Sequence, residues 1–238
     1  MYRRILQQRD SPWLLHKLQA TSKTERGYAY AMDGDLLSLD LLLSIDDFYN
    51  LYELHPGVAT EPLVVAELGA GWGRLGHVLL AVNPKLTYVV MDLPEILLVC
   101  QTYLPKTLPH ATVADYRFTR TVERFTRGQL LTKNLWFAGA QAAARFEPGA
   151  VDIAVNIASF QEMPLAYVEQ YMTCFSGMAR GGHVYLRQLR DGSAHGHHFD
   201  EIAGIDAYPF PPEWQRQYLR ASVLSDEFFE AGYAVPSA

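Results

Sequence analysis

The spacing of apolar positions changes along the chain. Between residues 36 and 54, Leu36, Leu37, Leu41, Leu43, Ile45, Phe48, Tyr49 and Tyr52 recur near three- and four-residue steps. That period predicts a helix, which His55-Pro56-Gly57 closes. An earlier stripe of Trp13, Leu14, Leu15 and Leu18 follows Asp10-Ser11-Pro12, a sequence suited to a helix start. Residues 1–60 are therefore expected to form a helical cap or arm, ahead of a main domain at 61–238.

From residue 62 the pattern alternates. Leu63-Val64-Val65-Ala66-Glu67-Leu68 is a short apolar run that stops at a glycine cluster. Residues 75–82 read as a helix stopped by Asn83-Pro84, and residues 87–91 as a second strand ending at Asp92. A helix is expected from Pro94 to about residue 104, with Pro105 ending it. Further strands are expected at 110–115, 135–137, 151–156, 183–187 and 228–235. Helices are expected at 141–146, 165–178 and 214–219. Near-continuous apolar strands alternating with helices predict an α/β fold, with a mostly parallel sheet covered on both faces.

Composition narrows the class. Of 238 residues, 49% are hydrophobic and 19% charged, which excludes a disordered chain. Twenty basic against 26 acidic residues give a net charge of −6, which suits a soluble protein and works against a non-specific nucleic-acid binder. The two cysteines, Cys100 and Cys174, stand in apolar contexts and read as buried free thiols. No CxxC pair offers a structural zinc site. The N-terminal stretch is interrupted by Pro12, His16 and Lys17, so it reads as neither a signal peptide nor a membrane span, and the location expected is cytoplasmic.

The densest chemical signal is Glu67-Leu68-Gly69-Ala70-Gly71-Trp72-Gly73-Arg74, between a strand and a helix. Its glycines permit a tight turn and a close approach of backbone to ligand. The spacing is GxGxG, which is neither the GxGxxG dinucleotide fingerprint nor a P-loop. Glu67 would repel a nearby pyrophosphate and suits an ammonium group instead. Asp92 ends the next strand, 19 residues after Gly73, where a carboxylate can accept ribose hydroxyls. Together these describe a nucleoside with a charged, non-phosphate tail, and S-adenosylmethionine fits.

This order of strand, Glu-x-Gly-x-Gly-x-Gly, helix, strand and Asp resembles the class I S-adenosylmethionine-dependent methyltransferases over roughly residues 62–190. More narrowly, ELGAGWGRLGHVLLAVNPKLTYVVMDLPE followed by NIASFQEM resembles a bacterial family of sugar O-methyltransferases. The resemblance implies a Rossmann-like, seven-stranded sheet with an N-terminal helical extension. It implies that Glu67, Gly69, Ala70, Gly71 and Trp72 line the methionine and ribose part of the cofactor. Asp92 would hold the ribose and Leu93 would pack on adenine. The adenine amine would meet Ala140 and Gln141, just after the 135–137 strand; Asp115 is the competing choice. Asn156 and Ser159 would border the methionine end.

Methylation of a hydroxyl needs a group to take the acceptor proton. Glu162, after the 151–156 strand, is one candidate base, and a carboxylate at a helix start is the plainer reading of it. His197 and His198, with His195, lie in a polar loop after the fifth strand and are the others. The same loop reads equally as an exposed polar stretch, and no metal ligand is assigned. The expected partner is a small hydroxylated acceptor such as a sugar or glycoside, and neither nucleic acid nor membrane. The leucine-rich segment 36–43 suggests a homodimer through the N-terminal helices. Methyl transfer to nitrogen or carbon, and a scaffold without turnover, are the alternative readings.

Overall fold

A computed structural model describes residues 29–32, 35–191 and 204–237. Strands β1 (Ala29–Met32) and β2 (Asp35–Ser38) pair antiparallel as a separate hairpin. The expected helix therefore starts later than its apolar pattern, as α1 (Leu39–Leu54). Ser38 sets the boundary: its extended backbone leaves the hydroxyl free to accept from the Leu41 N–H at 3.1 Å.

The main sheet contains β3 (Val64–Leu68), β4 (Thr87–Asp92), β5 (Val113–Ala114), β6 (Leu135–Gly139), β7 (Ile153–Ile157), β8 (His183–Leu189), β9 (Gln215–Ala221) and β10 (Phe228–Ala234). Their order is β5-β6-β4-β3-β7-β8-β10-β9. The first six in that row run parallel, and β10 is antiparallel to both its neighbours. The sheet thus has eight strands where seven were expected, and the two-residue β5 is the addition at one edge.

The sheet's parallel strands are buried on both faces, and alternate residues part to two cores. Val65, Tyr88, Val90, Phe137, Val155 and Tyr185 face α1, α2 (Arg74–Val82) and α3 (Pro94–Thr107). Val64, Ala66, Val89, Trp136, Ala154 and Leu186 face α4 (Leu165–Met178) and the short helix Ala140–Arg145. Leu41, Ile45, Phe48 and Leu51 commit the apolar side of α1 to the first of these cores. Within the leucine-rich segment 36–43 that suggested a dimer contact, Leu41 and Leu42 are buried in the chain's own fold and Leu39 is exposed.

Two expected element ends are corrected. Residues 215–221 form a strand, not a helix: Arg220 lies opposite Glu230 and the Tyr218 ring covers Gly232. Cross-strand partners in β10 decide the matter, and the charged, partly exposed β9 makes a sheet edge that resists further pairing. Helix α3 also runs through Pro105 to Thr107. Pro105 falls in the last turn, where it forgoes one backbone bond, and the Leu108 N–H still donates to the Leu104 carbonyl at 2.8 Å. Burial of Leu97, Cys100 and Leu104 along one side holds that last turn in place.

Candidate functional site

The glycine loop leaves β3 at the carboxyl edge of the sheet, next to the ends of β4 and β7. In an open parallel sheet this is where ligands bind, where strand order reverses direction. Gly69 and Gly71 both have positive φ, 72° and 58°. A Cβ on Gly69 would strike the Ser159 side chain, so that glycine is demanded by packing. A Cβ on Gly71 would meet nothing within 4 Å, so its bare backbone faces open space. That opening is what a ligand lying against the loop requires.

Asp92 stands across from this opening. Its Oδ2 accepts from the Gly71 N–H at 2.8 Å and its Oδ1 from the Leu93 N–H at 2.7 Å. Each oxygen retains lone pairs for a ligand hydroxyl. Burial raises its pKa, and the two amide bonds act against that shift. Leu93, beside it, is 60% exposed, an apolar surface with no cover from the fold. Asp92 pairs in register with Gly139, so Ala140 and Gln141 begin the short helix at the neighbouring strand end. Asp115 follows the extra edge strand β5, and its carboxylate caps a helical turn by accepting from the Phe118 N–H at 2.9 Å.

Glu67 lies below the loop, buried on the α1–α2 face. The Tyr88 hydroxyl donates to its Oε2. Burial pushes the Glu67 carboxyl from 4.5 up to about 7, with the Tyr88 bond and the Arg74 charge pulling the other way. The same burial, with the charge of Glu67, raises the Tyr88 phenol well above its usual range. Trp72 is half-buried, its ring edge-on to Tyr103 at 4.8 Å, so part of the indole is engaged with α3.

Asn156 is sealed from solvent at the end of β7. Its amide nitrogen donates to the Leu68 carbonyl at 2.9 Å and to Ser159 Oγ at 2.6 Å. Its oxygen accepts from the Phe160 N–H at 3.2 Å and from Gln188 Nε2 at 2.5 Å. The side chain therefore ties β3, β7 and β8 together at the carboxyl edge of the sheet. Ala158 follows with φ of 55°, a left-handed alanine of the kind found at constrained sites. Glu162 is exposed, in a turn of 3-10 helix over Phe160–Glu162 on the same edge of the sheet. His197 and His198 lie outside the described residues.

Tyr208, Phe210 and Trp214 pack against Phe229 and Tyr233 in the second core. Among the described residues no group of three or more His, Cys, Asp or Glu could hold a metal ion. No helix among them is long and apolar enough to cross a membrane. Sequence reading missed Tyr88, Asp47 and Arg74. Tyr88 carried a local signal, since it shares one face of β4 with Asp92, and Arg74 stands at the end of the glycine motif.

The strand order, the glycine loop and Asp92 at the second strand's end define the class I S-adenosylmethionine-dependent methyltransferase fold. A SAM-dependent methyltransferase from Aquifex aeolicus matches 99% of this chain and 98% of its own, with 13% identity and a TM-score of 0.52. The N-methyltransferase NodS from Bradyrhizobium japonicum WM9, solved with S-adenosyl-L-homocysteine, matches 82% of this chain and 88% of its own, at 14% identity and TM-score 0.53. The chain spans 57% of the longer pyocyanin biosynthetic protein PhzM, which matches 82% of this chain at 16% identity and TM-score 0.49. No family profile and no curated protein matches the sequence. The likeness of fold rests on the Aquifex and NodS structures.

Proposed function

We propose that the protein is an S-adenosylmethionine-dependent O-methyltransferase acting on a hydroxyl of a small molecule, a sugar or glycoside in the first instance. The observation that carries this reading is the open face of Gly71 opposite Asp92, with the uncovered Leu93 beside it. The residues fit the cofactor: Asp92 for the ribose hydroxyls, Leu93 for one face of adenine, Ala140 and Gln141 for its edge, and Gly69 to Trp72 for the rest. The cofactor, when bound, supplies an electrophilic methyl group. The protein's own task is to align the acceptor and take its proton. Glu162 is the described side chain suited to that role, and His197 and His198 are the alternatives supplied by the sequence. A cytoplasmic location and pairing of two copies through the N-terminal segment belong to the same proposal.

Calorimetric titration with S-adenosylhomocysteine, with NAD as the comparison ligand, tests it. Micromolar binding of the first and none of the second is expected. Asp92→Asn keeps an acceptor for only one of the Gly71 and Leu93 N–H groups, so it should weaken binding of the first at least tenfold and also lower the melting temperature. A folded protein that ignores S-adenosylhomocysteine would sink the reading.

A further inference from the structure

Helix α1 carries a carboxylate that the site described above does not use. Asp47 is fully buried, yet three groups converge on it. Arg74 Nη1 donates to its Oδ2 at 3.0 Å, and the Tyr185 hydroxyl donates to its Oδ1 at 2.9 Å. Arg187 Nη1 lies 3.4 Å from both oxygens. A buried carboxylate with these partners is a fixed point in the structure, because removing one member strands the others' charge away from water.

Arg74 is the member that reaches the cofactor loop. It is the first residue of α2, immediately after Gly73. Helix N-termini favour acidic side chains, so a cation there is opposed by the helix dipole. Gly73 supplies no side-chain cap either. The position makes sense through what Arg74 grips: Asp47, and Ser44 Oγ at 3.1 Å, both on α1.

We propose that Asp47 is a positioning residue for the cofactor loop, acting through Arg74, so that α1 is a working part of the site and not only a cover. The inference rests on the cofactor reading above. It assigns Asp47 two effects. It anchors the start of α2, and hence the Gly69–Gly73 turn. It also sets how much of Arg74's charge acts on Glu67. The groups facing Glu67 are Tyr88 and Asp92 from β4, Arg74 from α2, Asp47 from α1 and Cys100 from α3. Among them Arg74 is the cation and Asp47 its counter-charge.

A second ionic contact of α1 provides the control. Arg220 Nη2 pairs with Glu53 at 2.7 Å and donates to Asn50 Oδ1 at 3.0 Å, joining α1 to β9 and reaching Asp47 only through Asn50 and the Tyr185 hydroxyl. Asp47→Asn, Arg74→Gln and Arg220→Gln should be compared with the unaltered full chain. The readouts are hydrogen exchange across residues 68–76, S-adenosylhomocysteine affinity between pH 5.5 and 8.5, and melting temperature. Asp47→Asn and Arg74→Gln should each speed exchange in the loop and weaken binding at least tenfold. The midpoint of the affinity–pH curve should move down in Asp47→Asn, where Arg74 acts unopposed on Glu67, and up in Arg74→Gln. Arg220→Gln should lower the melting temperature with loop exchange and affinity unchanged. If Asp47→Asn does not fold, Arg74→Gln decides, since that side chain is 19% exposed and leaves Asp47 paired with Arg187. Equal losses in all three variants, or wild-type loop exchange in the first two, would overturn the proposal. If the unaltered chain binds no S-adenosylhomocysteine, the functional reading fails, and loop exchange alone decides the role of Asp47.

Discussion

Tyr88 donates its hydroxyl hydrogen to Glu67 from the neighbouring strand, and both side chains are sealed from water. The parallel register sets Val65 beside Tyr88 and Glu67 beside Val90, so the phenol reaches diagonally along one face. A carboxyl placed this way keeps its proton more strongly than one in water.

That relationship predicts a pH dependence. Burial raises the Glu67 carboxyl from 4.5 to about 7. Below the lower value the group is protonated in the folded and unfolded chains alike and contributes no slope. Between the two values the unfolded chain ionises first, so stability falls as pH rises. Above about 7 the whole penalty stands, on the order of 3 kcal/mol. Glu67→Gln keeps an oxygen for Tyr88 and cannot ionise. Its stability relative to the unaltered protein should therefore climb from pH 5 to pH 8, read from urea unfolding at several pH values. A flat difference across that range would show that the buried carboxyl does not hold its proton. The same variant should weaken S-adenosylhomocysteine binding, because the negative charge available to an ammonium group is gone.

The two loop glycines should separate stability from binding. Gly69→Ala puts a methyl into Ser159 at a positive φ, so it combines a clash with backbone strain. A loss of about 2 kcal/mol or more in unfolding free energy is expected. Gly71→Ala meets open space, so only the left-handed backbone costs, about 1 kcal/mol. Its methyl would nevertheless occupy the surface where the cofactor would lie. Thermal melts and calorimetry on the pair should show the larger stability loss in Gly69→Ala, and a binding loss in Gly71→Ala out of proportion to its stability loss. Normal binding by Gly71→Ala would remove that face from the site.

These two residues also show what could be read from the chain alone. Gly69, Gly71 and Asp92 were legible because their chemistry is local: a turn after a strand, a carboxylate at the next strand's end. The strand at Gln215–Ala221 was not, because its conformation is decided by register with β10 and not by its own residues. Asp47 was hidden for a similar reason. It sits in an apolar helical stripe where an acidic residue reads as solvent-facing, and its partners Arg74 and Arg187 lie 27 and 140 positions away. Pro105 read as a helix end because the rule against internal proline weakens only in a last turn held by packing.

Glu162 gives the test of the chemistry. It is exposed in the turn after the strand that carries Asn156, and it forms no ion pair with another described residue. Glu162→Gln should leave melting temperature and S-adenosylhomocysteine affinity unchanged and lower the methyl-transfer rate about 100-fold, the usual weight of a general base. Turnover should be measured over a panel of sugars and glycosides by S-adenosylhomocysteine release. An unchanged rate would move the proton-accepting role to His197 or His198.

Asn156 should behave in the opposite way, as a residue whose loss is felt in the fold first. Its amide makes four hydrogen bonds, to Leu68, Ser159, Phe160 and Gln188, without any exposure to solvent. Asn156→Ala leaves the Phe160 N–H without its partner and the Gln188 amide with only the more distant Asn156 carbonyl, at 3.1 Å. Each buried group left short costs about 1–3 kcal/mol, so a total near 4 kcal/mol is expected. For a chain of this size that lowers the melting temperature by roughly 10 °C. Ser159 also loses its anchor against Gly69, so binding to the glycine loop should weaken at temperatures where the variant is still folded. Asn156→Asp keeps the one oxygen that accepts from both Phe160 and Gln188 but turns its other oxygen toward the Leu68 carbonyl. It should be destabilised most at high pH, where the new carboxyl is charged, and recover in part as the pH falls and it takes up a proton that can be donated to that carbonyl. Scanning calorimetry of both variants from pH 5 to 8 checks this, and a melting temperature within 2 °C of the unaltered protein at every pH would show that the strand ends are held by other means.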